Sequence, residues 1–404
     1  MRILLLAPEP FYQERGTPIA VDLVLRVLSS QGHVVDVLVY HEGTPVNYPG
    51  VQIHRIPRLP FTSGVRPGFS FKKLVCDFVF FFKALGLACR TRYDLVHAVE
   101  ESVFAAMAIK ALRKTPYLYD MDSSIADQIT EKHFGLHWLS GFFRWCEARA
   151  IRHAEAVMPV CDALAEIAER YYPKAMTVLR DISLLSLNHQ QLGDCSTVRQ
   201  ELGASTDPIV MYVGNLERYQ GIDLLLESFA IAHQQVPTAQ LVVIGGTAQG
   251  IERYQAKAAA LGVGDAVRFA GSKPVANLAR YLRAADVLVS PRLLGGNTPM
   301  KVYSYLDSGT AVLATNLPTH RQVMTDAVAL LVEPTPQAMA AGLIKLLDDP
   351  QKRQALGAAA HQLIQSKHTY AVLKATLASV YDLLAQRQQP GEKVIAMAGE
   401  KCHG

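Results

Sequence analysis

The sequence predicts an α/β fold of two doubly wound halves, and three observations carry that reading. Short, unbroken apolar runs alternate with segments whose apolar residues recur at helical spacing. The alternation lapses over residues 173–208, a polar stretch holding Pro173, Gly193, Gly203 and Pro208, and then restarts. A chain of 404 residues has room for two or three domains of about 150 residues each. Strands that are apolar throughout need cover on both faces, which is the condition of a parallel sheet between layers of helix.

In the first half, Ile3–Ala7 reads as the opening strand and Pro8–Pro18 as a loop. Ile19, Ala20, Leu23, Val24, Val27 and Leu28 then predict a helix. Gly32 ends it as a C-terminal cap residue. Val34–Val39 is the next strand, and Asp94–Ala98 and Tyr117–Tyr119 follow as short buried strands. A helix over Leu139–Ala154 leads to a strand at Ala156–Val160. After the connection, Ile209–Val213, Leu241–Ile244, Val267–Ala270, Val287–Val289 and Ala311–Ala314 read as strands, with a helix over Gly221–Gln235 and others between. Helices are expected over 336–348, 350–367 and 370–387, and a loose tail from Gln388.

Composition narrows the class. Half of the residues are hydrophobic and 19% are charged, which excludes a disordered chain. A net charge of +4 is too small for a phosphate-backbone footprint, so nucleic acid is not an expected partner. The six cysteines, Cys76, Cys89, Cys146, Cys161, Cys195 and Cys402, form no CxxC pair. No metal site is therefore expected, and scattered thiols fit a reducing cytoplasm. The apolar start is too short for a signal-peptide core. The most membrane-like window, Leu74–Cys89, is interrupted by Asp77 and Lys83 and falls short of a span of about 20 residues. It reads as a buried helix or, with Lys72, Lys73, Arg90 and Arg92 around it, as one lying on a groove or a membrane surface.

Ligands of doubly wound sheets bind at the carboxyl ends of the strands, so the loops there hold the candidates. Neither half carries GxGxxG. Glu14-Arg15-Gly16-Thr17-Pro18 sets a glycine before a helix N-terminus, which favours an anion. Gly214-Asn215-Leu216-Glu217-Arg218-Tyr219-Gln220-Gly221 offers backbone amides and the cation Arg218, the makings of a pyrophosphate cradle. The most informative stretch runs from Ser290 to Gly309. Its Gly295-Gly296 pair is followed by Asn297, by Thr298 as an expected N-cap and by Pro299 as an expected first helical residue. Lys301 falls in the first turn, where a cation opposes the helix dipole unless an anion binds. Ser304 lies about one turn on. Asp122 follows a strand, where a carboxylate can orient or deprotonate a ligand hydroxyl; capping of the next helix by Asp122 or Ser123 is the plainer reading. Asp120-x-Asp122 also matches a short metal motif, the weaker alternative. His97, at the end of Asp94-Leu95-Val96-His97, either faces the same cleft or is satisfied by backbone.

Gly16 to Val39 with its Gly32-His33-Val34 turn, Asp94-Leu95-Val96-His97, Ala154-Glu155-Ala156-Val157, Gly221-Ile222-Asp223-x-Leu225, Ala285-Asp286-Val287-Leu288-Val289-Ser290-Pro291 and Ser308-Gly309-Thr310-Ala311-Val312 stand in a telling order. Together they resemble a family 4 retaining glycosyltransferase with the GT-B architecture, two Rossmann-like domains facing across a cleft, over nearly the full length. The resemblance implies a nucleotide-sugar donor, UDP- or GDP-linked, on the C-terminal domain (181–369), and a glycan or lipid-linked acceptor on the N-terminal one (1–180). It implies that helix 370–387 crosses back, with 388–404 as a flexible tail, and that neither metal nor cofactor is needed. It further implies that Asp122 and His97 serve catalysis, and that Gly16, Asn215, Arg218, Gln220, Asn297, Thr298, Pro299, Lys301 and Ser304 bind the donor. The chain departs from the pattern where Asn215 and Gln220 replace a loop Arg and Lys, where Gly296 and Ser304 replace a Glu-x7-Glu pair, and where Asp122 replaces a histidine. A non-catalytic sugar-nucleotide binder and a GT-B-like sugar-nucleotide epimerase are the alternative readings. A cytoplasmic protein, peripheral on the inner face of a membrane, is the expected setting.

Overall fold

The structure is a computed structural model, and it describes residues 1–60, 62, 64–65, 70–125, 140–185, 195–203 and 206–388. The expected tail beyond 388, Leu139 and the part of the connection that holds Gly193 lie outside the described residues.

The N-terminal half alternates β1 (Arg2–Leu6), α1 (Gly16–Ser30), β2 (Val34–Val39), β3 (Val51–Arg55), α2 (Phe71–Arg90), β4 (Leu95–Val99), α3 (Val103–Arg113), β5 (Tyr117–Met121), α4 (Ser140–His153), β6 (Ala156–Pro159) and α5 (Asp162–Glu169). The C-terminal half runs α6 (Cys195–Glu201), β7 (Ile209–Val213), α7 (Ile222–Gln235), β8 (Gln240–Ile244), α8 (Ala248–Ala260), β9 (Val267–Gly271), α9 (Leu278–Ala284), β10 (Val287–Ser290), α10 (Met300–Asp307), β11 (Ala311–Thr315), α11 (Pro318–Arg321), β12 (Leu330–Val332), α12 (Pro336–Asp348) and α13 (Pro350–Lys367), and α14 (Tyr370–Gln388) closes the described chain.

The sheets are ordered β3-β2-β1-β4-β5-β6 and β12-β11-β10-β7-β8-β9. Counted from its own first strand, each half has the same order, and its strands pair in parallel. The strand order therefore reverses between β1 and β4 in one half and between β7 and β10 in the other. Those are the crevices where a doubly wound sheet receives ligand. Alternation of side chains along each strand builds two cores per sheet. Ile3 and Leu5 pack with α1, while Leu4 and Leu6 pack with α2 and α3.

Two strands, β3 and β12, had no counterpart in the sequence reading. Both are edge strands. β3 is only partly buried and mixes Gln52, His54 and Arg55 into its run, while β12 is apolar throughout, Leu330-Leu331-Val332, but only three residues long and part-buried. Helix α2 buries only Cys76, Phe80, Ala84 and Ala88, one stripe at helical spacing. It is an amphipathic cover helix and not a fully buried one. Among the described residues no helix is long and apolar enough to cross a membrane.

The terminal helix α14 packs against the N-terminal sheet, where Leu373, Leu377, Val380, Tyr381 and Leu384 join the core around Ile3 and Leu5. A buried polar chain fastens it. The Tyr381 hydroxyl lies 2.7 Å from His97 Nδ1, and His97 Nε2 lies 3.1 Å from Asp120 Oδ2. A carboxylate only accepts, so Nε2 carries the proton and Nδ1 accepts from the tyrosine. Tyr381→Phe leaves that nitrogen buried and unpaired, with an expected loss of about 1–3 kcal/mol, and Leu377→Ala, at a wholly buried position, about 2–5 kcal/mol. Urea unfolding of both variants checks this: midpoints should fall with slopes unchanged.

Candidate functional site

The carboxyl edges of the two sheets face each other. Gln322, after α11, accepts from the Ala163 N–H at 3.1 Å and donates to the Gly296 carbonyl at 3.1 Å. Glu14, in the loop after β1, accepts from the Val275 N–H across the cleft at 3.0 Å. Met300, at the head of α10, packs on the N-terminal core.

On the C-terminal wall, the loops after β7 and β10 touch. Gly221 has φ +75, and a Cβ there would stand 1.8 Å from the Pro291 carbonyl oxygen. Only glycine fits. Helix α10 starts at Met300, with Pro299 in the capping place and no side chain capping its amides. This corrects the expectation that Thr298 caps and Pro299 is the first helical residue. Thr298 is buried instead, with its backbone beside the Cys161 thiol of the other half. The helix's first amides thus keep no side-chain acceptor, and a bound anion can take them.

Lys301 Nζ donates to Gln220 Oε1 at 3.0 Å and lies 4.0 Å from the centre of the Tyr212 ring. Burial, with Arg292 adding to it, holds this ammonium well below its ordinary value. Arg292 is 7% exposed; it donates to the Leu294 carbonyl at 2.7 Å and to Asn297 Oδ1 at 3.2 Å. Burial lowers it as well. The charged group that weighs on Lys301 is Arg292, and those that weigh on Arg292 are tyrosines, not carboxylates. Sequence reasoning passed over Arg292; its one signal was a cation just after a strand and before a glycine pair. Behind it, buried His320 bridges Ser290 at 2.9 Å and the Thr315 carbonyl at 2.8 Å, and burial drops its pKa to about 4. It is a neutral brace.

The other expected donor contacts divide. Arg218 and Asn215 are exposed, with Asn215 Oδ1 accepting from the Glu217 N–H at 3.3 Å. Gln220 is buried against Lys301. Gly16 is the first residue of α1, at φ +21 with open space where a Cβ would be. Ser304 is corrected: it is 1% exposed, and its hydroxyl accepts from the Leu184 N–H of the interdomain connection at 3.1 Å. It holds the connection, as Asp307 does through Ser183.

On the N-terminal wall, Asp122 is part-buried at the end of β5. Burial pushes its carboxyl well up, and Asp120, Glu100, Asp181 and Glu9 push the same way. His97 is corrected too. It is wholly buried with both nitrogens engaged, so it meets the cleft only through Asp120. Glu9, after β1, is raised chiefly by burial, then by Glu100. Glu100 itself sits at φ 50, a left-handed conformation unusual for a non-glycine residue. Asp181, in the connection, is pushed up to about 7 by burial and by Asp120. Neither Glu9 nor Asp181 belongs to a local motif; the fold alone brings them to Asp122. Among the described residues no group of three or more His, Cys, Asp or Glu is placed to hold a metal ion.

A carboxyl raised from about 4 in the unfolded chain to about 7 in the fold binds an extra proton when folded. Its stabilisation is full at acid pH and is lost as pH rises through 7. Asp181→Asn, which cannot ionise, is expected to stabilise the protein by about 1–2 kcal/mol at pH 8, water in the cleft damping the rest, and by nothing near pH 4. Thermal melts of both proteins across that range check the sign.

Two family models match the chain. The glycosyl transferase 4-like domain matches residues 16–180, and glycosyl transferases group 1 matches residues 196–363. Among curated relatives, the phosphatidyl-myo-inositol mannosyltransferase of Mycolicibacterium smegmatis is 29% identical over 44% of this chain and 45% of its own. The D-inositol 3-phosphate glycosyltransferase of Acidothermus cellulolyticus is 32% identical over 50% and 48%. The alpha-monoglucosyldiacylglycerol synthase of Streptococcus pneumoniae is 22% identical over 81% and 74%. The chain spans about half the length of the first two. Among solved structures, sucrose-phosphate synthase from Thermosynechococcus elongatus superposes with a TM-score of 0.79 at 20% identity, covering 96% of this chain and 99% of that one. HepE of Anabaena, in complex with UDP and glucose, gives 0.73 at 15%, covering 95% and 99%. These likenesses establish the GT-B fold of two Rossmann-like domains. With one model on each half, the chain belongs to the group 1 glycosyltransferases of the family 4 type.

Proposed function

We propose that the chain moves a sugar, with retention, from a UDP- or GDP-linked donor held by the C-terminal wall to a hydroxyl of a glycan or lipid-linked acceptor held by the N-terminal wall. The observation that carries this reading is the pair Arg292 and Lys301, two part-desolvated cations at a switch-point crevice on which no carboxylate of the described residues weighs. A diphosphate supplies the missing charge. The crystallised HepE relative in complex with UDP and the lipid-directed names among the relatives support the donor and acceptor classes.

In the reaction, the bond between C1 and the phosphate oxygen breaks, and the acceptor oxygen bonds to C1 on the same face. The acceptor proton passes to the departing phosphate oxygen, so no strong protein base is required. Negative charge grows on the diphosphate as it leaves. The amides at Gly16, in the Asn215–Gly221 loop and at the head of α10 meet it, together with Arg218, Arg292 and Lys301. These cations do the neutralising a metal would otherwise do, so the proposed reaction is metal-independent. Asp122, with its raised pKa, holds a sugar or acceptor hydroxyl by donating or accepting. His97 acts at one remove, by orienting Asp120. The proposed setting is the cytoplasmic face of a membrane, met through α2.

Removing one such preorganised donor costs about 3 kcal/mol, about a hundredfold in rate. Lys301→Ala should lower donor turnover by that factor and Arg218→Ala by less, since Arg218 is exposed. Unchanged turnover in both sinks the donor assignment. Because burial and Arg292 depress Lys301, a bound diphosphate raises it again. UDP or GDP binding should then take up protons wherever the unliganded Lys301 is deprotonated, below the range of an ordinary lysine. Calorimetry in buffers of different ionisation enthalpy reads that uptake, and Lys301→Arg, which stays charged throughout, should abolish it.

A further inference from the structure

The acceptor wall continues past the acidic cluster into a cavity of about 220 Å³ between α2 and α3. Pro8, just after β1, stands at its edge, so the cavity adjoins the carboxyl edge of the sheet. We propose that this cavity takes the first stretch of the hydrocarbon chain of a lipid acceptor. The word acceptor rests on the glycosyl-transfer reading; the apolar ligand does not.

Phe80 and Phe81 of α2 and Phe104 and Ala105 of α3 supply the apolar wall. The polar groups of the lining are already engaged inside the protein. The Tyr40 hydroxyl donates to Asp77, and Lys73 pairs with both Asp77 and Glu101. The Ser102 hydroxyl is held between the Leu6 and Val99 carbonyls at 3.0 and 2.8 Å. A phosphate would meet two carboxylates there, Asp77 and Glu101, whereas a chain of methylenes gains about 0.8 kcal/mol for each one buried. The volume is below the 300 Å³ or so at which pockets begin to enclose whole drug-sized ligands. It suits a slender group.

The outer surface beside the cavity says where such a chain comes from. Phe71, Leu74, Phe78 and Phe82 form one exposed stripe along α2, between 52% and 79% exposed. Phe81, in the cavity wall, meets Phe82 edge-on at 5.6 Å. Helix α3 packs between α2 and α4, and α4 exposes Phe142 and Trp145, stacked at 6.1 Å. Exposed arginines interleave and border these rings: Arg144 and Arg149 on α4, Arg90 and Arg92 at the far end of α2. Large apolar side chains among cations are the make-up of a surface that lies on anionic lipid. Lys73 is not among those cations, because its ammonium is spent on Asp77 and Glu101. This corrects its place in the basic set around α2.

The test uses the whole chain and two probes that share a headgroup, methyl and n-octyl β-D-glucoside, the latter below its micelle concentration, titrated by calorimetry. The octyl compound should bind at least tenfold more tightly. Ala105→Phe, which fills the cavity, should remove that advantage, and the pair Phe78→Ser with Phe82→Ser, which strips the outer stripe, should keep it. Should Ala105→Phe melt early, Phe81→Asn, which makes the wall polar, replaces it with the same expectation. No advantage for the octyl chain, or an advantage lost with the stripe and kept in the filled cavity, overturns the proposal. UDP and GDP binding on the same samples reports the donor reading separately. An octyl advantage without nucleotide binding removes the glycosyltransferase reading and leaves the cavity assignment. Nucleotide binding without an octyl advantage does the reverse.

Discussion

The arrangement of this protein depends on one buried imidazole. His97 sits inside the N-terminal sheet with Asp120 on one nitrogen and Tyr381 on the other. Tyr381 belongs to α14, the element that follows the whole C-terminal half, so the bond ties the end of the chain to its beginning. Leu373, Leu377, Val380 and Leu384 supply the hydrophobic area of that attachment, but they are non-directional. The polar chain fixes the register, because a slip of α14 by one residue leaves a tyrosine hydroxyl and an imidazole nitrogen unpaired in the core. With both ends of the C-terminal half anchored, the two carboxyl edges have to face each other.

Helix α10 carries the other constraint, since it serves the site and the connection at once. Its first turn presents Lys301 and uncapped amides to the cleft. A turn later, Ser304 takes the Leu184 N–H, and Asp307 takes the Ser183 hydroxyl. A glutamate at 304 would meet that backbone inside a buried layer, so the family's second glutamate and this seating of the connection exclude each other. At Gly296, the first glutamate position, a Cβ would meet open space; the close approach is at its neighbour. Gly295 has φ +124, and a Cβ on it would stand 1.9 Å from the Arg292 guanidinium. The loop has folded its arginine over a glycine pair. Positive charge absent from Asn215 and Gln220 thus reaches the crevice from the β10 side, and Gln220, uncharged, uses its carbonyl to aim Lys301.

What the sequence showed of this follows from what local pattern can encode. Unbroken apolar strands declared a sheet covered on both faces, and the pause after residue 173 separated the halves. The edge strand β3 was not legible, because a strand paired on one side needs no continuous apolar run, and Gln52, His54 and Arg55 hide it; β12 is apolar throughout, but its three residues are too short to tell from a turn of helix. The loops at the switch points were legible as glycine-rich turns before helices, and Lys301 as a cation in an awkward first turn. The direction of His97 was not, because in a strand buried on both faces the alternation that tells one side from the other is absent. Glu9 and Asp181 were beyond local reasoning, being brought to Asp122 from the end of β1 and from the interdomain connection.

The cleft is polarised, with like charges gathered on each side. The N-terminal wall gathers Glu9, Glu100, Asp120, Asp122 and Asp181; burial first, and then neighbouring carboxylates, push Glu9, Asp122 and Asp181 toward the neutral form. The C-terminal wall gathers Arg292 and Lys301; burial pushes both toward losing charge, and Arg292 adds to the push on Lys301. Among the described residues no ion pair joins the carboxyls of one wall to Arg292 or Lys301 of the other. An occupant bearing a diphosphate at one end and hydroxyls at the other satisfies the two walls separately. In the proposed reaction, negative charge grows on the side of Arg292 and Lys301 as the sugar bond breaks, and the hydroxyl to be bonded stays on the side of the carboxyls. Interactions that strengthen as that charge develops lower a barrier rather than merely tightening binding.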